Sequence, residues 1–352
     1  MSAASRREEG AGVTAVRRAE ATHRARVAPD GRNGAVGSYA IADDGTRIYF
    51  EQFSPGDGSA RRAGRHSKDA PPALLVMGLG ANGRLWAPAV RRMLASGYEV
   101  IVVDNRGCGR SSTPWRPWTT RTMAGDAVAV LDELGVERAH VGGASLGGMI
   151  AQEIALEFPE RVTTLVLSST TGGFRRLDLA PRKGVLHIVE ATLRLLRPAR
   201  DPERRVSHFL CTVASEDFAA QCRPGEETWD TVAAMLEDPA SERGIALQLL
   251  ACMRHSTWSR LPRLTMPVQV HHGSQDPLIP PAAGRELARR IPGARFEIHA
   301  GAGHALFERT EKVAESILAF LAESEARSEA RVRLGTSRLR RHRLIPSAFA
   351  VS

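Results

Sequence analysis

The chain of 352 residues is 43% hydrophobic, which suffices for one large α/β domain or two ordinary ones. Its net charge of +9 comes from its ends: residues 1–32 carry seven Arg against four acidic residues, residues 331–352 carry six Arg and no acid, and the part between is neutral. No aromatic residue interrupts the C-terminal arginines and no apolar run reaches the ~18–20 residues of a membrane span, so we expect neither a specific nucleic-acid partner nor a membrane.

A β-hairpin is the first predicted element. Apolar and polar side chains alternate over residues 39–53 around Asp44-Gly45, a dipeptide that is a strong hairpin signal. Residues 54–72, which follow, are rich in Gly, Ser, Pro and charged residues and are predicted to form an exposed loop. Residues 1–37, which precede the hairpin, are predicted to be a disordered basic tail.

Short apolar runs and amphipathic segments then alternate along the chain. The run at residues 99–104 is β-branched and lacks polar alternation, as expected for a strand buried on both faces of a parallel sheet. Strands are predicted at residues 73–77, 99–104, 139–143, 162–169, 268–273 and 294–299, and helices at residues 85–96, 119–134, 148–156, 285–291 and 310–322. The alternation predicts an α/β fold with a mostly parallel, doubly wound sheet.

Residues 173–264 break this rhythm, because they contain helical segments and no convincing strand. The helices are predicted at residues 185–196, 203–220, 228–236 and 244–253. A helical insertion between two late strands predicts a cap over the substrate pocket. The core is then predicted to consist of two parts, residues 38–172 and residues 265–322. Residues 323–352 are predicted to form an Arg-rich C-terminal tail. Several apolar residues in or beside the insertion could line the pocket or belong to the core, and the candidates are Phe174, Trp229, Trp258 and Leu278.

The segment Gly143-Ala144-Ser145-Leu146-Gly147 connects a predicted strand to a predicted helix. A strand, a sharp turn and a helix with Gly-x-Ser-x-Gly at the corner form the pattern of a nucleophile elbow. The turn is so tight that its flanking positions tolerate almost no side chain, which requires glycine at both. Ser145 would then project above the sheet, where a substrate carbonyl can reach it. The alternative is a chance Gly/Ser turn in a chain with 32 glycines.

Two backbone N–H groups are predicted to form an oxyanion hole beside this serine. The helix after the turn directs the Leu146 N–H and the positive end of its dipole toward the developing oxyanion. The glycine-rich segment Gly78-Leu79-Gly80 follows a central predicted strand, and glycines there let the backbone approach a ligand closely. The Leu79 N–H is the second predicted donor, and a simple strand-to-helix loop is the alternative.

An acid and a histidine follow two late predicted strands. Asp276 comes just after the strand at residues 268–273, and His304 lies in a Gly-rich loop after the last strand. Active sites of open α/β sheets lie beyond the carboxyl ends of the strands, so both are expected near Ser145. His304 would accept the Ser145 proton and Asp276 would hold the imidazole tautomer. For the acid, the alternatives are a structural Asp-Pro turn and catalysis by Asp104, although the Asn-Arg-Gly turn after Asp104 favours a structural role.

The other histidines and the cysteines indicate no further reactive site. The histidines in predicted strands are expected to be structural, and they are His140, His271, His272 and His299. The four cysteines form no C-x-x-C pair and have no metal-ligand spacing, which fits inert thiols in a reducing cytoplasm, so we expect a cytoplasmic protein without a metal site.

Five features in this order resemble the α/β-hydrolase superfamily over about residues 38–322. They are Gly78-Leu79-Gly80, Asp104-x-Arg106-Gly107-x-Gly109-x-Ser111, the Ser145 elbow, Gly273-Ser274-Gln275-Asp276-Pro277 and Gly303-His304. The run at residues 145–152 is most similar to the branch that holds 3-oxoadipate enol-lactonases, cofactor-free haloperoxidase-like esterases and polyketide methylesterases. Many relatives have His-Gly where this chain has Met77-Gly78, but the following backbone N–H is the oxyanion donor, so activity is expected to survive.

The resemblance implies a serine hydrolase that cleaves a small-molecule carboxylic ester or lactone through an acyl-enzyme, without metal or cofactor. Ser145 would be the nucleophile, His304 the base and Asp276 the acid. One alternative is a C–C bond hydrolase or acyltransferase with the same three residues. Another is a protein of this fold that binds a ligand without turnover, and the oligomeric state stays open.

Overall fold

The computed structural model describes residues 35–55, 71–174, 190 and 201–342, with side chains up to residue 330. Several sequence predictions lie outside these residues. They are the N-terminal tail up to residue 34, most of the loop at residues 54–72, the helix at residues 185–196 apart from Glu190, and residues 343–352.

Eight strands form one sheet in the order β1-β2-β4-β3-β5-β6-β7-β8. The strands are β1 Val36–Ile41, β2 Arg47–Phe53, β3 Ala73–Val76, β4 Val100–Val103, β5 Ala139–Ala144, β6 Val162–Ser168, β7 Val268–Gly273 and β8 Arg295–His299. The β1/β2 and β2/β4 pairs are antiparallel, and every other pair in the sheet is parallel. The predicted hairpin and the mostly parallel sheet are therefore confirmed. Gly45 has the positive φ of +81° that the hairpin turn requires.

Helices cover both faces of the sheet, as predicted for a doubly wound fold. They are α1 Ala87–Ala95, α2 Thr120–Glu133, α3 Leu146–Glu157, α4 Pro202–Val213, α5 Glu216–Gln221, α6 Glu227–Met235, α7 Glu242–Arg254, α8 Pro281–Arg290 and α9 Thr310–His342. Helices α2, α3 and α8 pack on one face, and α1 and α9 pack on the other. Within the described part of the chain, no helix combines the length and the apolar composition that a membrane crossing requires.

Helices α4 to α7 lie between β6 and β7, where a helical insertion is predicted. The predicted helix at residues 203–220 is divided in two, because Ala214 and Ser215 are extended and the Ser215 hydroxyl accepts a hydrogen bond from the Phe218 N–H at the start of α5. Buried side chains of α4 and α6 pack against Met77 and Ala81 at the end of β3. The insertion therefore lies over the edge of the sheet where the strands end.

The last helix is longer than predicted. The sequence analysis ends it at residue 322 and assigns a tail from residue 323, whereas α9 continues to His342. Residues 323–333 consist mainly of Glu, Ala and Arg, which are strong helix formers. Glu323 and Arg327 form an i,i+4 ion pair of 3.7 Å on this extension, and such pairs add a few tenths of a kcal/mol to a helix. Helix-forming residues and this ion pair therefore stabilise a helix where the sequence analysis expected an Arg-rich tail.

Candidate active site

Ser145 stands between β5 and α3 in a backbone conformation that is rare for a residue with a side chain. Its φ is 56° and its ψ is −119°. Such conformations cost about 1–3 kcal/mol and persist only where neighbours enforce them. Here the Ser145 N–H donates to the Ser168 carbonyl at 2.9 Å, and the Thr170 hydroxyl donates to the Ser145 carbonyl at 2.7 Å. Strand β6 and the residues after it thus hold the turn in its strained form.

The two glycines of the elbow are required by close backbone contacts. A Cβ on Gly143 would lie 2.2 Å from the Gly147 carbonyl oxygen. A Cβ on Gly147 would lie 2.0 Å from the carbonyl oxygen of Val76 at the end of β3. Neither contact can be relieved by a side-chain rotation, since both involve backbone atoms. The sequence pattern Gly-x-Ser-x-Gly therefore reflects how tightly α3 packs on β3 and β5.

The first of the two predicted oxyanion donors lies on a segment that passes beside Ser145. A Cβ on Gly78 would lie 3.1 Å from the Ser145 Cβ and 3.7 Å from its Oγ, so the backbone that leads into Leu79 runs against the serine. Leu146, which carries the second donor, is the first residue of α3. Both N–H groups thus belong to segments that border Ser145.

Side chains that the sequence analysis did not identify fix this glycine-rich segment. The Gly80 N–H donates to Gln248 Oε1 of α7 at 2.8 Å, and Gln248 Nε2 donates to the Arg106 carbonyl at 2.9 Å. The Asn82 amide donates to the Met235 carbonyl at the end of α6, also at 2.9 Å. The insertion therefore anchors the segment that carries Leu79, and only the three-dimensional arrangement reveals these partners.

Asp276 and His304 form a hydrogen-bonded pair. His304 Nδ1 lies 2.8 Å from Asp276 Oδ2. The other carboxylate oxygen, Oδ1, accepts hydrogen bonds from the Leu278 and Ile279 N–H groups, both at 2.9 Å. A carboxylate can only accept here, so Nδ1 of His304 carries the proton and Nε2 is the free acceptor. This is the imidazole tautomer that a general base toward Ser145 needs.

A second histidine contacts the same acid. His272 Nε2 lies 3.1 Å from Asp276 Oδ2 and 2.9 Å from the Ile279 carbonyl. Since both neighbours are acceptors, Nε2 of His272 is protonated and donates. Burial alone would raise the pKa of Asp276, but the charge of His304 and the hydrogen bonds from His272 and His304 hold that pKa well below its ordinary range. The sequence analysis gave His272 only a general structural role, and its four-residue spacing from Asp276 is the one signal of this contact.

Ser145 and His304 both border a cavity of about 110 Å³ between the sheet edge and the insertion. Of the predicted pocket residues, Phe174 and Leu278 line this cavity. The remaining walls are mainly apolar and include Leu79, Met149, Phe209, Val213 and Cys252. Ser145, His304 and Leu79 thus lie around one mainly apolar space, together with Phe174 and Leu278.

Two predicted pocket residues lie elsewhere in the described part of the chain. Trp258 is buried in the main core, and its indole N–H donates to the Gly173 carbonyl at 3.0 Å. Trp229 of α6 packs on the apolar cluster inside the insertion. Neither is among the described residues around the Ser145 cavity. A tryptophan that joins two segments of the core has the same sequence signature as one that lines a pocket.

Asp104, the alternative acid, holds two loops together. Its Oδ1 accepts from the Gly83 N–H at 2.8 Å and its Oδ2 accepts from the Arg110 N–H at 3.0 Å. Burial raises the pKa of Asp104 to about 6. The nearby Arg106 forms hydrogen bonds with Asp126 and Asp44, which link the end of β4 to α2 and to the first hairpin. These contacts agree with the structural role expected for this motif.

One group of side chains in the described residues has the composition of a metal site. The ligand atoms of His271, Glu297 and His299 lie within 4.8 Å of one another. Some of their atoms already have hydrogen-bond partners, because His271 Nδ1 and His299 Nε2 are 3.0 Å apart and Glu297 Oε1 accepts from Gln269 and Ser316. The group lies beneath α9 and does not border the Ser145 cavity.

Comparisons with known proteins agree with this fold. A family model described as the alpha/beta hydrolase fold matches residues 71–309. Over 260 residues the chain is 34% identical to rhodomycin D methylesterase DnrP of Streptomyces peucetius, an alignment that covers 67% of this chain and 85% of that protein.

Solved structures give the same result. A hydrolase from Pseudomonas aeruginosa superposes with a TM-score of 0.66 at 26% identity and covers 81% of this chain and 98% of that one. The enol-lactonase from Burkholderia xenovorans superposes with a TM-score of 0.64, covering 80% of this chain and 99% of its own, and its 23% identity shows the shared fold alone. The extent of the family match, together with the sheet order and the elbow, shows that the chain belongs to the α/β-hydrolase family of enzymes.

Proposed function

We propose that this protein is a serine hydrolase that cleaves a carboxylic ester or lactone of a small molecule through an acyl-enzyme. One observation carries the proposal: His304, which is hydrogen-bonded to Asp276, borders the same apolar cavity as Ser145, and Ser145 is held in a strained turn. The methylesterase relative supports the choice of an ester, since it is named for cleaving one.

In the proposed reaction, Ser145 Oγ attacks the acyl carbonyl while His304 Nε2 takes its proton. The N–H groups of Leu79 and Leu146 donate to the oxyanion of the tetrahedral intermediate. His304 then gives the proton to the leaving alcohol, and Ser145 remains acylated. Water that loses a proton to the same nitrogen hydrolyses the acyl-enzyme and releases the acid.

Asp276 keeps its negative charge throughout this cycle. Its low pKa and its two backbone hydrogen bonds on Oδ1 hold it ionised and oriented, so it can stabilise the imidazolium of His304. Residues 173–264, which we propose as a cap, would then set the substrate range. We also propose a cytoplasmic location, which is supported by four free cysteines, three of them buried.

A panel of carboxylic esters and lactones, measured with the wild type and Ser145→Ala, tests the proposal. We expect turnover of at least one ester or lactone by the wild type and a loss of nearly all turnover in the variant. The panel should include a β-diketone and an acyl acceptor other than water, because C–C bond cleavage or acyl transfer in place of hydrolysis would contradict the proposal. Ester turnover that persists in Ser145→Ala would contradict it as well.

A further inference from the structure

A second cavity, of about 140 Å³, lies between the sheet and helices α1 and α9. It is on the face of the sheet opposite α2 and α3. Its walls come from the sheet and from both helices and are almost entirely apolar; they include Leu75, Met93, Val166, Val313, Ile317 and Leu321. A space of this size in a core is unusual, since protein interiors are close-packed.

Gly142, in the middle of β5, leaves this space open. Its partners in the sheet are Leu75 on β3 and Val166 on β6, and both line the cavity. A Cβ at Gly142 would meet only the tip of the Leu75 side chain, at 3.0 Å, and the Leu74 carbonyl at 4.0 Å. A glycine inside a strand often marks a place where a ligand or another backbone approaches closely. Here the missing side chain leaves a gap between the sheet and the two helices.

The second cavity begins at the candidate active site. Four residues line both this cavity and the one around Ser145, and they are Leu85, Ala144, His304 and Ala305. From Ala144 the second cavity follows β5 to His140, a distance of about 13 Å at ~3.3 Å per residue. At the far end, the ring nitrogens of His140 are occupied by Thr164 and Glu325, each at 2.9 Å. The space is therefore a channel that runs from His304 to His140.

We infer that this channel binds an unbranched alkyl chain of the substrate, so that the preferred esters carry a chain of medium length. The inference rests on the proposed function, because it takes the Ser145 cavity as the place of the reacting carbonyl. An apolar wall favours an alkyl chain over a polar one, and the extent of the channel along β5, from Ala144 to His140, limits the length of that chain. The chain can belong to the acyl part or to the alcohol part of the ester, since His304 borders both groups in the reaction.

Chain-length series with a channel-filling variant test the inference. One series varies the acyl chain, from p-nitrophenyl acetate to p-nitrophenyl dodecanoate, and a second varies the alcohol chain, from ethyl acetate to decyl acetate. In one series kcat/KM is expected to rise about two- to fourfold per methylene, as burial of a CH₂ group predicts, and to fall once the chain exceeds the channel. The series that shows this rise identifies the part of the ester that enters.

Ala314→Leu on α9 places a larger side chain in the channel, and Ala89→Leu on α1 does the same from the other helix. For the longest ester that the wild type cleaves efficiently, either variant should lower kcat/KM at least tenfold. For the ester with a two-carbon chain, either variant should change kcat/KM less than twofold. Ala319→Leu is the matched control, because Ala319 is exposed on the same helix and does not line the channel. Unchanged long-chain preference in both filling variants, with short-chain turnover intact, would overturn the inference.

The affinity of Ser145→Ala for decanoate, measured by titration calorimetry, separates this inference from the proposed function. Decanoate should bind to Ser145→Ala and at least tenfold more weakly to Ser145→Ala/Ala314→Leu, with butyrate as the short-chain comparison. If decanoate binds in this way but the wild type cleaves no ester, the channel stands and the proposed function fails. If esters are cleaved but decanoate binds no better than butyrate, the channel is refuted and the proposed function stands.

Discussion

The Nε2 atom of His272 lies 3.1 Å from Oδ2 of Asp276, the same carboxylate oxygen that contacts His304. The side chains of His272 and Asp276 are both fully buried; His272 belongs to β7, and Asp276 follows that strand. With two backbone N–H groups on Oδ1 and a histidine on either side of Oδ2, the carboxylate is held in one orientation before any substrate arrives. If Asp276 is the catalytic acid, as we propose, His272 acts as a positioning residue for it.

We expect His272→Ala to lower kcat about 10- to 100-fold with little change in KM. The loss of one hydrogen bond to a charged group costs about 1.5–3 kcal/mol, and about 1.4 kcal/mol is a factor of ten in rate. Steady-state kinetics on a cleaved ester provide the measurement. His271→Ala is the matched control, because His271 pairs with His299 instead of Asp276. An equal fall of kcat in both variants would mean that His272 contributes only to the packing of β7.

Two aspartate variants distinguish the proposed acid from the alternative one. Asp276→Asn should lower kcat about 10³- to 10⁴-fold, because an amide there no longer enforces the imidazole tautomer. Asp104→Asn should keep kcat within about tenfold and reduce thermal stability, since Asp104 binds the Gly83 and Arg110 N–H groups. The reverse result, a large catalytic loss only in Asp104→Asn, would assign the acid to β4.

The elbow should not tolerate a methyl group at Gly147. Gly147→Ala brings a Cβ to 2.0 Å from the Val76 carbonyl oxygen, so we expect a loss of at least about 1–3 kcal/mol in the free energy of unfolding. Gly125→Ala is the control, because Gly125 lies in α2 with no atom within 4 Å of its added Cβ. That variant should gain about 0.5–1 kcal/mol from helix propensity. Urea denaturation of both proteins gives the comparison, and equal stabilities would refute the tight packing of α3.

Buried His255 should make the fold less stable in acid. Burial lowers its pKa to about 3, whereas an unfolded histidine has a pKa of about 6.5. Between these values the unfolded state binds the extra proton, so stability falls as the pH drops, by up to about 1.4 kcal/mol per pH unit. Between pH 6 and pH 4, the free energy of unfolding of the wild type should therefore fall relative to that of His255→Gln, by up to about 1.4 kcal/mol per pH unit. Chemical denaturation of both proteins at several pH values gives the measurement. A difference that stays constant over that range would show that His255 is not held neutral.

The residues that we propose for catalysis could be identified from the sequence. Ser145 and its two glycines were recognisable because a tight strand-to-helix turn allows few other residues, and Asp276 and His304 because each follows a strand that ends at the same sheet edge. The contacts of His272 and Gln248 were not predictable, since their partners are set by how β7 and α7 pack.

The other differences between the sequence predictions and the structure concern residues whose role depends on packing. Trp258 was a pocket candidate because a large apolar residue in the insertion can face the substrate pocket or the core. In the structure it faces the core. The extension of α9 to His342 was missed because its arginines suggested a solvated tail, whereas the surrounding Glu and Ala favour a helix. Gly142 carried no signal in the sequence, since its significance lies in the space that it leaves beneath α1 and α9.

Labelling with a fluorophosphonate tests the central claim most directly, because the reagent reacts with activated serine nucleophiles whatever the natural substrate is. Intact mass and peptide mapping of the wild type should show one adduct, on Ser145, and Ser145→Ala should show none. His304→Ala, which keeps the serine but removes its base, should react much more slowly than the wild type. A folded wild-type protein that gains no adduct, or gains one on a different residue, would contradict the assignment of Ser145 as the nucleophile.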